Sequence, residues 1–239
     1  MNPSVERLSL SHTFPLQRGS HATRDEGMCA MEMVAWLGGE EHSDEPVCAC
    51  PVLAALVRAS NDGMTIAERH RHLRPLVPLL VGSRRTAAVE RARGMAAIDW
   101  LVRQHMPRVL QRQSGSRHGS AWLLLARLPP ILRRQDLTAA RRILAPLSGE
   151  HRAALWVLDR AFDDLPAPHW VAGVVQAALA GAGAGVAAGA AAAAAKSEVW
   201  PQLVGLCTRL ARWDAGGAKG GAAAHREDRR AFAARLSSR

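Results

Sequence analysis

Val and Ile never gather into the alternating runs from which a half-buried strand is built, at any point in the 239 residues. Other strand formers are scarce too, with three Phe, seven Trp and no Tyr. What punctuates the chain instead is helix grammar: capping boxes, prolines suited to first turns, and glycine stops. A 48% hydrophobic content supplies enough apolar surface for a core. The expectation is therefore an all-α chain, an irregular multi-helix bundle with an Ala-rich C-terminal tail.

Four stretches follow from that grammar. Residues 1–22 read as a flexible arm, and residues 23–110 as a helical domain that carries the chemically distinctive residues. Residues 111–165 read as a helical continuation, and residues 166–239 as a partly ordered, Ala/Gly-rich helical tail. Thr23 with Glu26 forms a capping box, and Gly38-Gly39 a stop, which predicts a helix over 24–37. Pro51 opens the next helix, which ends near Asn61-Asp62-Gly63. Thr65 with Glu68 opens another, interrupted by Pro75 and Pro78. Ser83 is placed to cap a regular helix over about 84–106. QRQSGSRHGS, residues 111–120, reads as a linker, and helical pieces are expected near 120–128, 137–145, 149–162 and 200–213.

The net charge of +10 is unevenly spread. Residues 1–60 hold four Arg against eight acids, a local −4, which leaves +14 for the remainder. Nearly all the positive charge is Arg, Lys196 and Lys219 being the two lysines. Such a balance permits acidic partners or nucleic acid without demanding either. The charge-free run 171–195 is long enough to span a bilayer, but Ala and Gly supply too little transfer energy, so no membrane span is expected. The N-terminus has no apolar signal core, which points to a cytoplasmic, reducing setting in which Cys29, Cys48, Cys50 and Cys207 are thiols or metal ligands.

Three of those cysteines fall within GMCAMEMVAWLGGEEHSDEPVCACPVL, residues 27–53. Thiolate, imidazole and carboxylate are the ligand types zinc takes in a tetrahedron. The pool is Cys29, Glu32, His42, Asp44, Cys48 and Cys50, of which four at most would serve, although the spacing is not that of a standard finger or ribbon. A second reading makes Cys50 a nucleophile: it precedes a helix N-terminus, and His42 and Asp44 are at hand to activate and orient it, against the opposing effect of local acidity. Glu32 and Asp44 are the matching acid/base candidates. The third reading is structural, with the cysteines as small buried hydrophobes, Glu32 paired with an Arg, and Asp44 capping its own turn.

The pattern C-x-M-E-x-V-A-W-x-x-G-E, continued by H-S-D-x-P-x-C-x-C-P-V, resembles the opening signature of a family of uncharacterised bacterial proteins common in actinobacteria. Its carriers are Cys29, Met31, Glu32, Val34, Ala35, Gly39, Glu40, Ser43, Asp44, Pro46, Cys48, Pro51 and Val52. The likeness runs on through Asn61-Asp62 and LRPLVPLLVGSRR to the Trp100 helix, roughly the first 115 residues. The family pattern has Ser at the position of Cys50 and an aromatic at that of His42. The resemblance therefore implies that shared chemistry rests on Cys29, Glu32, Asp44 and Cys48, and it implies no particular activity.

Elsewhere, His70, Arg71, His72 and Arg74 make a basic face, Arg84 and Arg85 lie at a helix start, and Asp99 with Arg103 forms an i,i+4 pair expected at the surface. Trp156, Trp170, Trp200 and Trp213 are expected to anchor helices. No phosphate-cradling glycine loop or serine elbow is present. The sequence favours a binding or assembly protein organised around the Cys/Glu/Asp motif, with structural zinc as its one cofactor candidate. A protein partner or a second copy is favoured over nucleic acid. The alternatives are a metal- or cysteine-dependent enzyme using Cys29/Glu32/Asp44/Cys48, and nucleic-acid binding through the Arg-rich part.

Overall fold

A computed structural model describes residues 4–113, 119–163, 167–184 and 189–213. The expected linker at 114–118 and the tail from 214 lie outside the described residues. Within them the chain is an all-α multi-helix bundle, and no helix is long and apolar enough to cross a membrane.

The N-terminal half runs α1 (Val5–Leu10), α2 (Ala30–Gly38), α3 (Pro51–Gly63), the single turn α4 (Ile66–Glu68), α5 (Val77–Leu80), α6 (Ala87–Trp100) and α7 (Met106–Arg112). Then follow α8 (Ala121–Arg127), α9 (Leu137–Leu144), α10 (Ser148–Phe162), α11 (Ala167–Gly183), α12 (Ala190–Ser197) and α13 (Trp200–Ala211). Helix α11 is the hub, packed against α10, α3 and α6, while α13 closes over α3. Val171, Val174, Val175 and Ala178 of α11 are all fully covered. The segment expected to be tail therefore supplies the middle of the core. Its small residues do this work: Ala and Gly let neighbouring helices approach closely.

Glycine also seats tryptophan. A Cβ on Gly63 would come 2.7 Å from Trp200 Cη2, one on Gly94 2.9 Å from Trp170 Cη2, and one on Gly173 2.5 Å from Trp156 Cζ3. Trp200 and Trp170 are buried, as helix anchors should be. Gly94→Ala is expected to cost about 1–3 kcal/mol, because the indole ring and its helix must shift to admit a methyl group. Gly149→Ala, which meets nothing within 4 Å, is the control and should be neutral. Urea denaturation of the two variants checks the contrast; equal effects would refute the packing argument.

Helices α4 and α6 each run into a wider turn, residues 69–73 and 101–105, with i→i−5 bonds from Arg74 N–H to the Arg69 carbonyl and from Met106 N–H to the Leu101 carbonyl. Each wide turn ends two residues before a proline, Pro75 and Pro107. Proline brings no N–H and its ring crowds the carbonyl four residues back, so a register slip just upstream relieves the clash while the helix continues. The helix expected at 84–106 accordingly extends to Arg112. Its cap is Thr86, whose hydroxyl accepts the Val89 N–H, and not Ser83.

Residues 4–22, the described part of the expected flexible arm, and residues 23–28 after them lie against the helical body and are held by arginine. Arg69 Nε donates to the Leu16 carbonyl at 3.0 Å, Arg74 donates to the carbonyls of Ser11 and Phe14, and Arg7 donates to the Trp36 carbonyl at 2.6 Å. Leu16 is fully buried, and Gln17 N–H bonds the Met28 carbonyl at 2.8 Å. The apolar triplet Phe14-Pro15-Leu16 is the local signal for this docking.

Candidate functional site

Helix α2 begins six residues, nearly two turns, later than Thr23 would start it. Its N-cap is Cys29, in extended backbone, and Glu32 at N3 completes the capping box: Cys29 N–H donates to Glu32 Oε2 at 2.6 Å and Glu32 N–H donates to Cys29 Sγ at 3.4 Å. A thiol thus stands where Ser or Thr is usual. Thr23 forms no such cap, and Glu26 instead accepts the Ala22 N–H. Gly39 ends the helix in the left-handed region at φ 77°, as a glycine stop should.

Glu32 is 1% exposed and is not paired with arginine. Its Oε1 also accepts the His21 N–H at 2.5 Å, the His21 ring Nδ1 lies 2.8 Å from Oε2, and His42 Nε2 lies 3.7 Å from Oε1. Burial alone would raise this carboxyl, but the N–H groups of Cys29 and His21 and the His21 ring outweigh it and hold Glu32 below the usual carboxylate range. One carboxylate thereby ties the start of α2, the arm and the loop after α2 together. His21 escaped the sequence reading because it sits in the arm, with no periodic neighbour to place it. Both ring nitrogens of His42 are buried and lack a hydrogen-bond partner.

The second half of the window forms its own closed loop. Glu40 accepts the Val47 N–H at 2.6 Å and the Cys48 N–H at 2.7 Å, one with each oxygen. Cys48 passes its carbonyl to the Arg84 N–H, and Cys50, fully buried at the N-cap of α3, donates its N–H to Ser83 Oγ at 3.0 Å. Ser83 and Arg84 thus serve this loop and not a helix start. Asp44 stands apart, partly exposed, 4.0 Å from Arg58 Nε, while its carbonyl accepts Arg58 Nη1.

Three of the four thiols are held toward the neutral form. Burial pushes Cys29 up to about 12, with the Glu32 charge adding to it, and burial followed by Glu40 raises Cys48. Cys207, among the leucines of α13, is pushed up to about 12 by burial. All four cysteines are free thiols and buried. Among the described residues, no three His, Cys, Asp or Glu side chains are grouped so that they could hold a metal ion. The structure brings Glu32 and His42 together, ties Cys29 to Glu32 and Cys48 to Glu40, and keeps Asp44 on Arg58.

Further buried charges lie outside the window. Asp99 is fully buried with Arg103, whose Nε donates to Oδ1 at 2.6 Å and Nη2 to Oδ2 at 3.2 Å; Ile131 N–H also donates to Asp99 Oδ1 at 2.8 Å. This is an interior pair, not the surface pair the i,i+4 spacing suggested, because α8 and the chain after it cover that face of the helix. Arg93, fully buried, donates to the carbonyls of Ser83 and Trp213 at 2.7 and 3.0 Å. No protein-family model matches the sequence, and no curated protein and no solved structure is significantly similar to it.

Proposed function

We propose that the chain is a binding or assembly protein in which the Cys/Glu/Asp window builds the fold, and that its function lies on its surfaces. One observation carries this reading: the window's reactive groups are spent on backbone. Glu32 takes the N–H groups of His21 and Cys29, Glu40 takes those of Val47 and Cys48, and Cys29 caps α2. A nucleophilic thiol needs access and thiolate character, whereas Cys29 and Cys48 are covered and shifted toward the neutral form and Cys50 is fully buried.

A second reading, a metal-dependent centre, is favoured by the His42 imidazole, whose buried nitrogens lack partners 3.7 Å from Glu32. Zinc would be held there by Glu32 and His42, and a third ligand would have to move in.

Thiol titration of the native protein at neutral pH separates the two, with metal analysis alongside. The expected result is that none of the four cysteines reacts until denaturant is added. A thiol that reacts rapidly in the folded chain would refute the structural role. Stoichiometric zinc, lost in both Glu32→Gln and His42→Phe, would establish the second reading in its place.

A further inference from the structure

The sequence shows no alternation of Trp with Arg, but the fold creates one. Beyond the backbone kink at His151, helix α10 presents Arg152, Trp156 and Arg160 outward at i, i+4 and i+8. All three are exposed, and Trp156, at 43%, is the one aromatic among the large exposed hydrophobics of the described residues. The Arg160 guanidinium stands 5.8 Å from the Trp156 ring, and the edge of the indole rests on Gly173 of α11, so the ring is propped outward by a helix contact.

Arginines from the neighbouring segment extend the patch. The guanidiniums of Arg134 and Arg141 lie 4.7 and 5.0 Å from the Phe162 ring. Between Arg127 and Arg160 the chain carries seven Arg against three acids, Asp136, Glu150 and Asp159. Asp136 is turned to the N–H groups of Leu132 and Arg133, and Asp159, within the stripe itself, is paired with Arg141 at 2.6 Å. Asp163, exposed at the end of the helix, is the further carboxylate of this face.

We propose that this face of α10, with the α9 arginines beside it, binds single-stranded nucleic acid. The proposal rests on the reading of the chain as a binding protein. Arg152 and Arg160 stand about 12 Å apart along the helix. They would hold backbone phosphates on either side of an indole offered to a base, the combination of cationic track and aromatic platform that unpaired strands require. A duplex hides its base faces and would gain only the charge. A sequence pI of 11.1 brings polyanions to the surface in the first place.

The test is fluorescence anisotropy of the full chain with short labelled oligo-dT and oligo-U, each across a salt series, with an equal-length duplex and polyglutamate as competitors. Binding to either single strand is expected, stronger than to the duplex and declining as salt rises. Trp156→Ala should weaken it about 5- to 100-fold. Arg152→Ala with Arg160→Ala should lower the salt slope by about 1–2. Preference between the two oligonucleotides identifies DNA or RNA as the source. Since the three side chains are exposed, unchanged circular dichroism of each variant is the control for folding; Trp156→Phe, retaining a ring, should lose less than Trp156→Ala. No binding, competition by polyglutamate as effective as by the strand, or indifference to Trp156→Ala would overturn the proposal. Such a result alongside unreactive thiols would leave the binding-protein reading standing with a different partner.

Discussion

Replacing Asp99 by Ala is expected to destabilise the protein by about 3–5 kcal/mol, the largest effect of any single substitution considered for this chain. The loss has two sources. Arg103, 5% exposed, would keep its charge in the interior with its bond to the Leu128 carbonyl but without the carboxylate, and the Ile131 N–H would lose the carboxylate oxygen 2.8 Å away. Removing one member of a buried pair costs more than the pair contributes, because the surviving charge has already left water. The double variant Asp99→Leu/Arg103→Met should therefore recover much of the loss. Urea unfolding of the single and double variants measures both. A single variant within 1 kcal/mol of wild type, the range of an exposed pair, would show that the pair is solvated.

The second large effect is on acid stability. Burial lowers His105 to about 4, with Arg108 and Arg112 nearby acting in the same direction and the Ala178 carbonyl, 3.0 Å from Nε2, only partly opposing them. A histidine whose folded pKa lies below its unfolded value makes no pH-dependent contribution above the unfolded value, where it is neutral in both states. As pH falls through about 6.5 the unfolded chain takes up the proton and the folded chain does not. Stability should thus decline between about 6.5 and 4, by roughly 3 kcal/mol from His105 alone. His70 and His72, also lowered by burial and then by neighbouring arginine, add slope of the same sign. Below the ordinary carboxylate range the contributions of Glu32 and Glu68 are lost in turn, since both are held low in the folded state. Denaturant midpoints measured from pH 7.5 to 4 should fall steadily, and His105→Gln should flatten the upper part of the curve. A flat wild-type profile, or a variant whose slope equals that of wild type, would contradict the burial of a neutral imidazole.

Much of the helix grammar could be read locally. Pro51 opening α3, its end at Gly63, the Thr65–Glu68 capping box and the leucines of α13 all depend on residues within a turn or two of one another. The candidate site was legible only in part. Cys29, Glu32, His42, Cys48 and Cys50 stood out by residue type, but the bonds that give them their roles come from elsewhere. His21 is 11 residues from Glu32, and Ser83 is 33 from Cys50. The Thr23–Glu26 capping box did not form: the arm lays Leu16 beside Met28 in a bridge, and the helix begins directly after it with Cys29 as its cap, a residue type that local capping rules do not single out.

By itself the sequence determined the class: a chain without alternating β-formers, supplied with caps, prolines and alanine, can satisfy its backbone only in helices, and those preferences act over a few residues. The tertiary structure alone decided which charges lie inside and which aromatic lies outside. Asp99 and Arg103 are buried because α8 and the segment after it cover them, Ala-rich α11 becomes the hub because small side chains let helices meet around it, and Trp156 is turned outward beside two arginines because Gly173 supports its edge. Burial and exposure depend on which surfaces meet at long range, and no local pattern of residues encodes that meeting.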